Sequence, residues 1–228
     1  MSDMTEGSTL NAFAVRQSIM PWSVSAGKRA FDAVFATSAL ILTMPLIVVI
    51  AALVRSTSRG PALFRQTRVG QAGRSFTLFK FRSMSVRTEK DSCLTFAGDR
   101  RVTPLGKILR KTKLDELPQF YNVLRGDMSM VGPRPDVPEY VATLPSELRH
   151  VLLLKPGVTG AASIWFRNEE ELLAKVSSEQ LQQFYCDALL PNKVQMDLEY
   201  ARSASFFRDL KIIAKTVAVL FERHGQNR

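Results

Sequence analysis

The stretch from Ala30 to Val54, AFDAVFATSALILTMPLIVVIAALV, carries a single charge, Asp32, in 25 residues. About 20 predominantly apolar residues suffice to cross a bilayer as a helix, so the run is long enough. A cleavable signal peptide is excluded: 29 residues precede the run, it is too long for such a segment, and no small-x-small site follows. Two features argue against a plain crossing. Pro45 stands in the middle, where it removes an intrahelical hydrogen bond and bends or breaks the helix. Lys28 and Arg29 precede the run and Arg55 and Arg59 follow it, whereas a spanning helix keeps its positive flank on the cytoplasmic side. If both flanks share one side, the segment enters the membrane, turns at Pro45 and returns as a re-entrant hairpin. The competing reading is a single-pass helix with a tolerated proline. Asp32 lies three residues after Arg29 and reads as its ion-pair partner at the interface.

Charge is concentrated just beyond this run. Net charge is +10, and Arg55 to Pro135 holds 17 Lys and Arg against 6 Asp and Glu, while the counts are 3 against 3 before it and 11 against 12 after it. Such a field attracts phosphates, whether of nucleic acid, anionic lipid or a nucleotide. Charge alone does not choose among them. Cys93 and Cys186 stand far apart, outside any CxxC or Cys/His cluster, which excludes a disulfide framework and a zinc site. His150 and His224 have no metal-ligand spacing and read as surface residues.

Outward from the apolar run, residues 1–27 lack a sustained period and read as a mobile tail, residues 28–55 as the membrane segment, and residues 56–228 as one cytosolic unit. Ala62–Val69 and Ser75–Met84 are β-prone runs joined by Gly70-Gln71-Ala72-Gly73, the pattern of a hairpin. Asp91–Arg101 reads as a loop. Thr103-Pro104 caps and opens a short helix through Arg110 or Lys111. A second helix is expected from Asp115 to Leu124, stopping at Gly126. Residues 126–132 read as a loop with a short buried strand, and Lys155-Pro156-Gly157 as a turn. Glu169–Ala174, Ser178–Leu189 and an amphipathic Leu210–Phe221 read as helices. The fold class is α/β, mostly helical, with a small β-hairpin.

Lys111-Thr112-Lys113-Leu114-Asp115-Glu116-Leu117-Pro118-Gln119 is the most informative stretch for chemistry. Its adjacent carboxylates sit among Arg110, Lys111 and Lys113, so local potential and helix dipole both favour the ionised form. An ionised aspartate attacks phosphorus or holds Mg²⁺ against substrate phosphates. The plainer reading is a capping box, Thr112-x-x-Asp115. Lys80 and Arg82, two residues apart on one strand face, form a candidate phosphate grip. Arg134 lies between Pro133 and Pro135, which hold it with little orientational entropy left to lose.

Several stretches together, Lys28 to Asp32, Pro61 to Gly70, Phe79 to Met84, Leu114 to Gln119, Arg125 to Pro135 and Lys155 to Gly160, resemble the monotopic phosphoglycosyl transferases, the bacterial sugar transferase family. The resemblance covers about Lys28 to the C-terminus, and LDELPQ with GDMSMVGPRP at this spacing is its most specific part. It implies a re-entrant helix broken at Pro45 and a compact catalytic unit on the cytoplasmic face of the bacterial inner membrane. It implies Asp115 as the nucleophile on the β-phosphate of a UDP-sugar and as a Mg²⁺ ligand, with UMP leaving and polyprenyl (undecaprenyl) phosphate as acceptor. Glu116 would assist the metal site or the lipid phosphate's deprotonation. Arg110 and the Pro133-Arg134-Pro135 loop match positions linked to substrate binding. Membrane lipids are implied partners, nucleic acid is not, and a homo-oligomer stays open. The product would start assembly of exopolysaccharide, capsule, O-antigen or glycoprotein. The chain departs from the common pattern at Met44, where many relatives carry serine, at Lys113, and across Ala161 to Glu170, a region that bears on sugar choice. A membrane-anchored protein that only binds anionic lipid or nucleic acid is the rival, and it leaves the paired carboxylates unexplained.

Overall fold

In the computed structural model, residues 21–85 and 94–225 are described, the last five by backbone alone. Most of the expected tail, Cys93, part of the Asp91–Arg101 loop and the side chain of His224 therefore lie outside the described residues. The part of the tail that is described is folded: Pro21–Val24 form a 3-10 turn, and Trp22 donates from Nε1 to Asp209 at 2.9 Å. Ser25 then caps helix α1 (Ala26–Thr57), its side chain accepting from the Lys28 N–H at 3.0 Å.

Helix α1 is the one helix among the described residues long and apolar enough to cross a membrane, with mean hydropathy 2.5 over its most apolar 18 residues. It is apolar on all sides, so its middle has no polar face to turn to water. Leu42 is 80 % exposed and Ile41 69 %. Both ends, however, are fastened to the same globular body. At the start, Lys28 pairs with Asp209 at 2.6 Å, the Met130 N–H donates to Asp32 at 3.0 Å, and Ala36 is fully buried. At the other end, Ile50 and Val54 pack on Phe81 and Leu109. No residue from Thr37 to Val49 is buried. Two sequence readings are corrected. The helix runs on through Pro45 instead of stopping there, because a proline withdraws only one ladder bond. Asp32 pairs with Lys28, at 3.8 Å, and not with Arg29. The Arg29 guanidinium donates instead to the carbonyls of Val123 and Leu124, each at 2.6 Å.

The hairpin forms as expected. Strands β1 (Leu63–Val69) and β2 (Ser75–Phe81) pair antiparallel with Phe64 opposite Lys80. Thr103 caps α2 (Pro104–Lys111), accepting from the Gly106 N–H at 2.9 Å. The second expected helix is later and shorter: Leu114–Glu116 make a 3-10 turn and α3 covers Gln119–Arg125. Gly126, at φ 88°, ends it in the left-handed conformation that a side chain disfavours. Strand β3 (Ser129–Val131) pairs in parallel with β4 (Gly157–Thr159), a partner that three residues after a turn did not announce.

The remainder is helical: α4 (Pro138–Ala142), α5 (Ala161–Trp165), α6 (Glu169–Leu173), α7 (Leu181–Phe184), a π-turn at Tyr185–Leu189, α8 (Leu190–Ala201) and α9 (Phe206–Gly225). The expected Ser178–Leu189 helix is thus cut short at its start and continues, through the π-turn, into the longer α8. Val123, Met128 and Met130 pack with Ile212 and Ile213 of α9 under α1. Tyr140, Leu173, Tyr185 and Leu190 form the core on the other side.

Candidate active site

Lys113, at φ 58°, is a non-glycine residue in the left-handed region. It reverses the chain after α2 and sends Leu114–Glu116 inward, at a cost of order 1 kcal/mol that the surroundings must offset. Thr112 does not form the expected capping box. Its hydroxyl donates back to the Ile108 carbonyl at 2.8 Å. Leu114 and Leu117 pack against the same cluster as Ile47, Ile50, Ala51 and Val54 of α1, so the acidic turn lies beside the C-terminal half of the apolar helix.

The two carboxylates of that turn are both buried but differ in their partners. Glu116 Oε1 accepts from Lys80 Nζ at 3.2 Å and from Arg134 Nη2 at 3.1 Å. Burial pushes the Glu116 carboxyl up, but Lys80 and Arg134 together hold it well below the usual range. Asp115 Oδ1 is buried with no hydrogen-bond partner among the described residues. Burial raises the Asp115 pKa, and the negative Glu116 beside it raises it further. The sequence expectation that helix dipole and cations would ionise both alike is therefore corrected. Burial also brings Lys80 down to about 8, against the opposing pull of Glu116. Arg134 is raised, chiefly by Glu116.

Placement of these side chains is overdetermined. Asn122, fully buried on α3, donates to the Thr77 carbonyl at 2.7 Å and accepts the Phe79 N–H at 3.1 Å. It thereby fixes β2, and with it Lys80, against the acidic turn. No sequence signal marked it, since one asparagine in a short helix looks solvated. The Pro133-Arg134-Pro135 loop is held by its backbone: Pro133 accepts from the Gly157 N–H at 2.8 Å, and Pro135 from Arg68 at 3.1 Å. Gly132 has no room for a side chain, because a Cβ there would stand 2.3 Å from the Lys155 carbonyl. Behind the loop, Tyr185 donates to Asp136 at 2.8 Å and Lys193 pairs with Glu169 at 3.0 Å. Neither pair was expected from the sequence.

Of the expected site residues, the fold brings Lys80, Asp115, Glu116 and Arg134 together. Arg110 lines the same broad cleft and pairs with Glu170 at 2.5 Å. Arg82 is elsewhere engaged: its guanidinium donates to the carbonyls of Ser58 at 2.8 Å and Arg59 at 2.5 Å, tying down the end of α1. The phosphate grip expected of Lys80 with Arg82 thus reduces to Lys80, because β2 ends at Phe81 and the side chains diverge. Among the described residues no three His, Cys, Asp or Glu side chains gather as a metal cage. The unpartnered Asp115 oxygen does suit Mg²⁺, which binds through one or two carboxylates with substrate phosphates completing its shell.

Comparison with known proteins agrees with this chemistry. A family model described as bacterial sugar transferase matches residues 23–223. The UDP-glucose:undecaprenyl-phosphate glucose-1-phosphate transferase of Escherichia coli (strain K12) is 42 % identical over 196 residues, 83 % of this chain and 39 % of that protein. The protein of the same description from Caulobacter vibrioides is 37 % identical over 211 residues, 87 % of this chain and 71 % of that protein. The UDP-N-acetylgalactosamine-undecaprenyl-phosphate N-acetylgalactosaminephosphotransferase of Aeromonas hydrophila is 35 % identical over 205 residues, 87 % of this chain and 44 % of that protein. The chain spans 39 % of the length of both the Escherichia coli relative and a Klebsiella pneumoniae relative of the same description.

Proposed function

The chain belongs to the bacterial sugar transferase family, and from that premise we propose that it transfers a sugar 1-phosphate from a UDP-sugar to polyprenyl (undecaprenyl) phosphate. The observation that carries the proposal is the buried Asp115 oxygen left without a partner, beside a Glu116 whose charge is already matched by Lys80 and Arg134. A protein that only bound anionic lipid would have no use for an unsatisfied carboxylate, which costs about 1–3 kcal/mol or more to bury.

In the first step an Asp115 oxygen forms a bond to the β-phosphorus of the UDP-sugar, the bond from that phosphorus to the bridging oxygen breaks, and UMP leaves with that oxygen. In the second, an oxygen of polyprenyl phosphate attacks the same phosphorus and releases the Asp115 carboxylate, giving a polyprenyl diphosphate sugar. One carboxylate thus serves a soluble donor and a lipid acceptor in turn, which is the logic of covalent catalysis. Glu116 holds Lys80 and Arg134 at the site, where their charges stabilise the phosphoryl group as it moves. When bound, Mg²⁺ would be held by Asp115 and phosphate oxygens and would neutralise the diphosphate.

The same proposal makes α1 a re-entrant membrane helix, bent at Pro45, that leaves the catalytic unit on the cytoplasmic face of the bacterial inner membrane. Its support is that both ends of α1 dock on one body while no residue of its apolar middle, Thr37 to Val49, is buried. The product would initiate assembly of a surface glycan. Release of UMP from a panel of UDP-sugars tests the activity. Wild-type protein with lipid acceptor is expected to release UMP and Asp115→Asn to release none; near-normal turnover by Asp115→Asn would discard the proposal.

A further inference from the structure

Glu170 occupies a place in the cleft that the transfer chemistry does not use. It lies in the first turn of α6, where its own backbone carbonyl accepts the Ala97 N–H at 2.9 Å and pins it to the wall. Arg110 Nη2 donates to Glu170 Oε1 at 2.5 Å. The charge of Arg110 also acts on Asp115, so its guanidinium links Glu170 to the nucleophile. The Glu170 side chain is 45 % exposed, against 11 % for Glu116. Among the described residues its second oxygen has no hydrogen-bond partner. Of its neighbours along the cleft, Glu169 pairs with Lys193 and Asp99 with Arg101.

A free carboxylate oxygen weakens a wall that must bind phosphate, so its use lies with another part of the donor. The groups of a UDP-sugar that a carboxylate favours are hydroxyls, whose O–H donates a charge-assisted hydrogen bond. The donor has hydroxyls on its ribose and on its hexose. The hexose is attached to the phosphorus that Asp115 attacks, whereas the ribose lies one phosphate further off. Resting on the transferase reading, we infer that Glu170 accepts a hydrogen bond from a hexose hydroxyl and is a residue that sets which sugar is transferred. Arg110 then has a double task, orienting Glu170 with one nitrogen while its charge faces the phosphates.

The test pairs Glu170→Gln and Glu170→Ala with UDP-glucose and its 2-, 3-, 4- and 6-deoxy forms, measuring kcat/KM for UMP release alongside inhibition by UMP. For wild type, one deoxy donor is expected to lose on the order of ten- to a hundredfold. That loss should vanish in Glu170→Ala, the two removals being non-additive, with inhibition by UMP unchanged. Glu170→Gln, which keeps the size of the side chain, covers the case in which the alanine variant folds poorly. Additive losses at every hydroxyl in an active protein would overturn the inference alone, as would a matching loss of UMP affinity, which would assign Glu170 to the ribose or to holding Arg110. Wild type that releases UMP from no UDP-hexose would overturn the transferase reading, and the inference with it.

Discussion

Asp115 and Glu116 are neighbours in the chain with opposite electrostatic surroundings. Glu116 is kept ionised despite its burial by two cations within 3.2 Å, whereas Asp115 is raised by burial and by the charge of Glu116. An aspartate raised in this way takes up its proton sooner as pH falls, so the acid limb of the pH–rate profile lies above the ordinary carboxylate range. Glu116→Gln removes the like charge and is expected to move that limb to lower pH while lowering the plateau rate. An unmoved limb in a profile of UMP release would show that Glu116 does not act on Asp115. At this scale much of the candidate site was legible, because Lys80, Asp115, Glu116 and Arg134 stand out by charge and by proline neighbours, while Arg110 entered through the family resemblance. Arg82 was misread for the same reason: it looks equivalent to Lys80 until the end of β2 turns it toward the carbonyls of Ser58 and Arg59. Asn122 and Tyr185 carry no charge, and their importance arises only from what the fold packs around them.

Helix α1 shows what an element's sequence fixes and what it leaves to its surroundings. Its apolar run and its proline were plain, but the continuity through Pro45 follows from the cost of ending a helix in an apolar medium. A break would strand several carbonyls and N–H groups, while a bend loses one bond. Thr43 donates to the Ala39 carbonyl at 2.6 Å, and because such back-bonding curves helices it would favour the proposed bend. This supplies, one residue earlier, the polar group that Met44 lacks. Cysteines introduced in place of Ala26 and Arg59, both exposed, are expected to react with an impermeant thiol reagent from the cytoplasmic side alone. Labelling of the two from opposite sides would make α1 an ordinary crossing helix. The parallel pairing of β3 with β4 stayed hidden for a different reason: strands of three residues have too little alternation to read, and their partner lies beyond a long connection.

The whole molecule joins a long apolar helix to a body that buries charged groups beyond the candidate active site. Asp197, 3 % exposed, accepts the Ala162 N–H at 3.2 Å, and burial pushes its pKa up to about 7. Between about pH 4 and 7 the folded state keeps this proton while the unfolded chain has lost it, so stability falls as pH rises through that window, by on the order of a few kcal/mol. Asp197→Asn is expected to flatten this decline in chemical unfolding measured at pH 5 and pH 8; an equal slope in both proteins would remove Asp197 as its source. On the same scale, the acidic turn lies beside the C-terminal half of α1, where under the proposed function a soluble nucleotide sugar and a lipid phosphate would reach one carboxylate in succession. The most direct measurement supplies a UDP-sugar labelled in its hexose to the protein without polyprenyl phosphate, quenches the mixture, and follows the label by mass spectrometry. The account predicts a hexose phosphate on Asp115 that disappears when the lipid is added and never forms in Asp115→Asn. Product formed at the normal rate with no label ever on the polypeptide would contradict it.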